Sequence, residues 1–429
     1  MSELFEHYAS IDYPILDADA HVNEPPQLWQ ESVPEKWRER APKLVKSERG
    51  DVWHFDGGRE TWPVGLTATA GQSAFQIGPM GQTYETMRPG SFDTAARLAD
   101  MDADGIYAQV LYPSVTLKGA RVYGAERELQ LVCVRAYNEW IRSFCQPSGG
   151  RLHSNAIIPT TGQGDAVAEL ERAMKDGHRG AMISSFPNGS LSPRPEDDPF
   201  WARAQETGFP VAVHIGSFLK TPPPGSTNSK PDRARSEASR LARSEPKASE
   251  DRTGVPSEDR SGLEKAWTGS LAFVARAAWT KAGGQTLDVV CDLLFSGIFQ
   301  RFPRLKIVLV ESNIGWIPTL LEQSDDMFRR YRWWTGAHRE MSELPSQIFQ
   351  RNFYATFMVD RSGLELRHRL NLDHILWSTD YPHSGTDWPN SSVSIEGLFR
   401  GLPKAEVRKF LHDNCRALYG LDHVPASWK

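Results

Sequence analysis

Apolar residues in this chain come in short bursts with a regular rhythm. Eight bursts read as strands: Ile15–His21, Ile106–Pro113, Ser154–Pro159, Gly180–Phe186, Pro210–Gly216, Lys306–Ser312, Asn352–Met358 and His374–His383. Several run almost unbroken by polar side chains, as parallel strands covered on both faces do. Between them the period turns helical. Leu129, Cys133, Ala136 and Trp140 fall on one stripe of a helix predicted over Ala125 to Cys145. A second helix is predicted over Asp165 to Gly177, with an acid to start it and a glycine to stop it. Trp267, Leu271, Val274 and Ala278 mark a third, which ends at Gly283-Gly284. Eight strands alternating with helices predict βα units on a parallel sheet, and eight is the number that closes a (β/α)8 TIM barrel.

Two stretches exceed a minimal barrel. Residues 23–90, after the first strand, are rich in Trp, Pro and Gly. They are expected to cover a pocket or a partner subunit. Residues 219–266, after the fifth strand, contain no aromatic residue and much Ser, Pro, Arg and Glu. Such a composition buries too little apolar surface to order itself strongly. The chain 1–429 is thus expected to be one barrel domain carrying two insertions.

Composition narrows the function by exclusion. Basic and acidic residues number 49 and 54, giving a net charge of −5, which offers nucleic acid or an anionic membrane no basic footprint. The most apolar helical stretch, Ser270 to Trp279, is interrupted by Arg276 and falls short of the about 20 residues needed to span a bilayer. The first residues, MSELFEHYASIDYP, lack the basic-then-apolar pattern of an export signal. Cys133, Cys145, Cys291 and Cys415 show no CxxC spacing, as in a reduced, cytoplasmic protein. There is no GxSxG elbow and no GxxxxGK[ST] loop. Gly162-Gln163-Gly164 opens a helix, but Val167 stands where a dinucleotide motif needs its third glycine.

The chemistry lies at the strand ends, where a barrel of this type builds its active site. The first strand closes on Asp17-Ala18-Asp19-Ala20-His21, and the fifth on His214. The sixth closes on Glu311, and the eighth on Asp380 with His383 just beyond. Asp19 and His21, two residues apart, share a face of their strand. With His214 and Asp380 they form a candidate ligand set for one divalent ion, zinc first and manganese second. Asp17, Asn23 and Glu24 are candidates to support the ligands. His383 is a candidate to line the pocket, and Arg361 a candidate clamp for a substrate carboxylate.

The stretches DADAH, PVAVHIG and WSTDYPH, together with RLADMDADGIYAQVLYP and FSGIFQRFPRLKIVLVESNIGWIP, resemble the amidohydrolase-related metal enzymes. The resembling group includes aminocarboxymuconate-semialdehyde, γ-resorcylate and 5-carboxyvanillate decarboxylases. The resemblance runs from about Tyr13 to Leu421 outside the insertions. It implies a barrel with one divalent ion, a homodimer, and a proton-handling role for Asp380. It also places Glu311 where the decarboxylases carry a catalytic histidine, so Glu311 becomes the alternative acid or base.

The resulting expectation is a carboxy-lyase that removes carbon dioxide from a small aromatic or muconate-like carboxylic acid. The alternative is a hydrolase of an ester, lactone, amide or C–C bond working through a metal-bound water. A non-catalytic barrel with a degenerate ligand set is the third reading, and its low metal content would distinguish it.

Overall fold

A computed structural model describes residues 3–48, 50–73, 76–78, 81–218 and 286–428. The 219–266 insertion and the helix predicted from Trp267 to Ala278 lie outside the described residues. Among those described, eight parallel strands form one sheet in the order β1-β5-β6-β7-β8-β9-β10-β11. They are β1 (Leu16–Val22), β5 (Ala108–Pro113), β6 (Leu152–Ile157), β7 (Gly180–Met182), β8 (Val211–His214), β9 (Ile307–Val310), β10 (Phe353–Phe357) and β11 (Ile375–Trp377). These are the eight expected strands. Ile307, Val308, Leu309 and Val310 are all fully buried, which explains the unbroken apolar run. Each such side chain contributes about 1.5–3 kcal/mol relative to leaving it in water.

The ring closes through backbone at the functional end. Asp380 N–H donates to Asp19 O at 3.0 Å, and His21 N–H donates to Tyr381 O at 2.6 Å. The ends of the first and eighth barrel strands are therefore tied directly to each other. A bulge in β1 between Asp17 and Ala20 shifts its register against β5, as bulges near active sites re-aim side chains.

Several strands stop earlier than the apolar pattern suggests. Glu311, at φ 55°, turns left-handed directly after β9 ends at Val310, and Asp380, at φ 56°, does so three residues after β11 ends at Trp377. The helices follow the expected alternation: Thr94–Asp104, Arg127–Cys145, Gln163–Asp176, Asp198–Thr207, a helix over 286–294, and Ile317–Thr335. Asp165 does not cap its helix. Gly162 precedes the first turn, and Asp165 sits inside it, accepting from Thr161 Oγ1 and pairing with Arg127. Gly177, at φ 86°, is the C-terminal stop.

The first insertion is structured. Strands β2 (Lys43–Ser47), β3 (Gly50–Phe55) and β4 (Glu60–Pro63) form an antiparallel sheet. Trp29 packs edge-on against Trp53 and donates its indole N–H to Cys133 O on the helix Arg127–Cys145. Ala70 N–H donates to Pro382 O and Ser384 N–H to Leu66 O. The insertion thus leans on the turn that follows the eighth barrel strand.

Candidate metal centre

At the C-terminal end of the barrel, β1 and β8 bring Asp19, His21 and His214 together, all completely or almost completely buried. The His21 and His214 Nε2 atoms face each other at 3.2 Å. Asp19 Oδ1 lies 3.4 Å from the first and 3.5 Å from the second. Each ring has its other nitrogen on a carbonyl: His21 Nδ1 donates to Pro113 O at 2.9 Å and His214 Nδ1 to Ile215 O at 3.0 Å. A carbonyl only accepts, so each Nδ1 carries a proton, and in its neutral form each ring presents a lone pair at Nε2.

A second group of potential ligands shares His21. Asp380 Oδ1 lies 3.2 Å from His21 Nε2 and 2.9 Å from His383 Nδ1. His383 stacks on the His21 ring at 3.8 Å, and its Nε2 meets the Ser114 hydroxyl at 3.1 Å.

Two occupants compete for the space between these atoms. A single shared proton can join the two Nε2 atoms, but it leaves Asp19 unsatisfied. Both Asp19 carboxylate oxygens are buried and accept no hydrogen bond while the facing rings are neutral at Nε2. Leaving buried carboxylate oxygens bare is costly. A divalent ion satisfies them together with both lone pairs. Ligands at about 2.0–2.1 Å from one tetrahedral ion lie about 3.3 Å apart, in line with the 3.2–3.5 Å separations among His21 Nε2, His214 Nε2 and Asp19 Oδ1; Asp380 Oδ1, 3.2 Å from His21 Nε2, groups with His21 and His383. Imidazole and carboxylate donors fit a divalent transition metal.

The electrostatics agree. Burial works against ionisation of Asp19, but His214 and His21 outweigh it and hold its pKa below the ordinary value. Asp380 likewise resists burial, through His383 and His21, and is held low. Burial opposes the cation of His21, yet the Asp19 and Asp380 carboxylates raise its pKa well above normal. The negative field that favours a proton there favours a metal ion equally.

Glu311 follows β9 and reaches toward the same centre, with Oε2 3.9 Å from His214 Nδ1. Its backbone N–H donates to Thr356 Oγ1 at 2.8 Å, which fixes the left-handed turn. Burial, then the Asp380 and Asp19 carboxylates, push its pKa well above the usual carboxylate value. The side chain keeps a fifth of its surface exposed, so it borders open space while the ligands do not.

Asp17 sits beneath the ligands. Its carboxylate accepts from Thr379 N–H at 3.0 Å, the Thr379 hydroxyl, Gln109 Nε2 at 3.0 Å and Asp19 N–H at 3.2 Å. Burial raises its pKa to about 7. Asn23 and Glu24 do not reach His21. Asn23 is bonded to Thr67, and the Glu24 carboxylate accepts from Val115 N–H, Thr116 N–H and the Thr116 hydroxyl. They fasten the insertion and the turn after β5. Arg361 is not brought to the cluster: it starts an exposed helical turn and donates to Gly397 O, because Asp360 caps that turn and points it outward.

Sequence reasoning did not pick out Ser114, Thr379, Gln109 or Arg97. Arg97 is fully buried and donates to Gly90 O, Gln109 Oε1 and His21 O. Its guanidinium lies over the Tyr381 ring at 4.4 Å. It lies on the buried face of the helix Thr94–Asp104, beside Asp100, Met101 and Asp104.

A family model described as Amidohydrolase matches residues 16–421. The chain belongs to the amidohydrolase family. Among solved structures, the amidohydrolase map2389c of Mycobacterium avium subsp. paratuberculosis K-10 shares its fold with a TM-score of 0.69 at 18% identity, over 96% of this amidohydrolase and 100% of that chain. A dihydroxybenzoic acid decarboxylase from Polaromonas sp. JS666, with bound manganese and the inhibitor 2-nitroresorcinol, gives a TM-score of 0.58 at 18% identity, over 96% and 98%. The curated decarboxylase orsB of Emericella nidulans is 25% identical over 251 residues, 56% of this chain and 62% of orsB. The match therefore spans less than two thirds of that relative's length.

Proposed function

We propose that this amidohydrolase is a metal-dependent carboxy-lyase acting on a small hydroxylated aromatic carboxylic acid. The observation that carries this reading is the Glu311 carboxyl beside a candidate cation site, its pKa raised well above the ordinary value by burial and then by the Asp380 and Asp19 carboxylates. Decarboxylation needs those two things together: positive charge for the substrate's oxygens and an acid for its carbon. Asp19, His21, His214 and Asp380 would hold the ion. When bound, a divalent ion would supply positive charge that holds the substrate's carboxylate and an adjacent hydroxyl in place. Manganese comes first and zinc second: half the donors are carboxylates, and the Polaromonas relative carries manganese.

In this scheme Glu311 gives its proton to the ring carbon that bears the carboxylate. The bond to the carboxylate then breaks, its electron pair restores the aromatic ring, and carbon dioxide leaves. Glu311 regains a proton through its exposed edge. Asp380, ionised and fixed by His383 and His21, orients the substrate and keeps Glu311 protonated. Cytoplasmic placement fits four cysteines without a disulfide. No described helix is long and apolar enough to cross a membrane. A homodimer is part of the reading, and exposed Tyr331, Trp333 and Trp334 offer it apolar area.

The test is to load the protein with manganese or zinc and incubate it with a panel of hydroxybenzoates, esters and lactones. Release of carbon dioxide with one equivalent of the phenol is expected. Incorporation of water-derived oxygen from an ester or lactone, without carbon dioxide, would transfer the site to hydrolysis.

A further inference from the structure

The first and eighth barrel strands, β1 and β11, stand at the two ends of the sheet order and form no ladder with each other among the described residues. The seam between them carries Asp19 on one side and Asp380 on the other. Asp19 also lacks a register partner on β5, because β1 bulges there between Asp17 and Ala20. Its carbonyl accepts from Asp380 N–H at 3.0 Å, and its N–H donates to the Asp17 carboxylate at 3.2 Å.

Asp17 works on both sides of this seam. Its Oδ1 accepts from Asp19 N–H and also from the N–H of Thr379, the residue before Asp380. Its Oδ2 accepts from the Thr379 hydroxyl and from Gln109 Nε2 at 3.0 Å. These bonds fall on the amide of one candidate ligand and on the residue before the other, where a shift of the backbone moves a ligand oxygen directly. The carboxylate is held in turn. Arg97 can only donate, so Gln109 turns its Oε1 to Arg97 Nη1 at 3.0 Å and its amide nitrogen to Asp17. Asp17 and Arg97 are fully buried, and Gln109 and Thr379 nearly so, which makes a lost partner costly. An asparagine in place of Asp17 would set an amide NH2 against one of these donors whichever way it lay.

We propose that Asp17, oriented by Gln109, is a positioning residue that sets Asp19 and Asp380 at the spacing the cation needs. This rests on the reading of the cluster as a metal centre, and not on the reaction carried out there.

Equilibrium dialysis with manganese, and in turn with zinc, tests it, alongside urea unfolding of the same preparations. Gln109→Met and Thr379→Val should each weaken metal affinity by about ten-fold, and Asp17→Asn by about ten- to a hundred-fold. Thr379→Ser, which keeps the hydroxyl, should hold the parent's affinity. Asn138→Ala supplies the comparison. Asn138 is equally buried and bonds both the N–H and the carbonyl of Ile157 on β6, so its loss should cost stability and leave affinity unchanged. If Asp17→Asn does not fold, the Gln109 and Thr379 variants decide. Parent-like affinity in folded Gln109→Met and Thr379→Val overturns the proposal. So does a matching loss of affinity in Asn138→Ala, which would make affinity a reflection of stability alone. A parent chain that binds neither ion overturns the proposal and the metal centre together. Tight binding without turnover of any acid removes the carboxy-lyase reading alone, and the affinities of the variants still decide the role of Asp17.

Discussion

His21 and His214 turn their Nε2 atoms toward each other at 3.2 Å while each donates its Nδ1 proton to a backbone carbonyl. Those carbonyls belong to Pro113, at the end of β5, and to Ile215, just past β8. The two rings are thus oriented by main chain, whose position the barrel fixes, before any cation arrives. Purified protein is expected to hold close to one divalent ion per chain. His21→Ala and His214→Ala should each weaken metal affinity by at least about a hundred-fold. Chelation should lower the melting temperature, since the ion binds the folded chain alone. Elemental analysis and a thermal scan check this; full metal content in both variants would remove the rings from the ligand set.

Glu311 separates proton transfer from metal binding. Glu311→Gln keeps the shape and the polar contacts of the side chain but has no acidic proton to give. Turnover should fall by about a hundred- to ten-thousand-fold, with metal content unchanged. A lowered metal content would instead make Glu311 a ligand. Measuring kcat and bound metal on one preparation distinguishes the two.

The eight strands were legible because parallel strands buried on both faces must be apolar throughout, as the fully buried β9 is. The strand-end acids and histidines stood out for the same reason: Asp19 and His21 interrupt a run that burial alone would fill with valine or alanine. What escaped the sequence depends on contacts across the chain. The Asp17 carboxylate meets Thr379, 362 residues away. Arg97 meets His21 O, 76 residues away. Arg361, a candidate clamp because it follows a strand, starts a surface helix instead, its direction set by the Asp360 cap. The insertion sheet was missed because β2 is short and half polar, so its alternation is weak. Ile215 O and Pro113 O, which fix both rings, carry no side-chain signal at all.

Acid stability is expected to depend on His178, far from the metal. It is buried, with Nδ1 2.9 Å from Ser154 Oγ. Burial, reinforced by Arg172, pushes its pKa down to about 4. The unfolded chain takes up this proton near the ordinary histidine value, while the folded chain resists until about pH 4. Between those values the unfolded state binds more protons, so folding stability falls as pH falls and the loss is complete near pH 4. From pH 7.5 to pH 5 this one group accounts for about 2 kcal/mol. Urea unfolding of the protein and of His178→Gln at both pH values measures it. The variant should show the shallower loss, and identical losses would assign the acid limb to other groups.

Arg97 tests how far the buried polar network under the ligands matters to them. Its guanidinium serves three acceptors at once, Gly90 O, Gln109 Oε1 and His21 O, and lies on the Tyr381 ring. Among the described residues no carboxylate pairs with it directly. Asp17 stands one step away through Gln109, and Asp100 one step away through Tyr381. Its hold on the His21 carbonyl and the Tyr381 ring fixes the backbone on both sides of the seam that joins Asp19 to Asp380. A single ammonium cannot reproduce a planar fork with three directions. Arg97→Lys and Arg97→Met are therefore both expected to destabilise the fold by about 3 kcal/mol, because each strands buried acceptors. If positioning is part of its role, kcat should fall in the folded fraction of Arg97→Lys while KM and metal content stay near those of the parent. A variant that loses stability but keeps kcat would confine Arg97 to holding the barrel together.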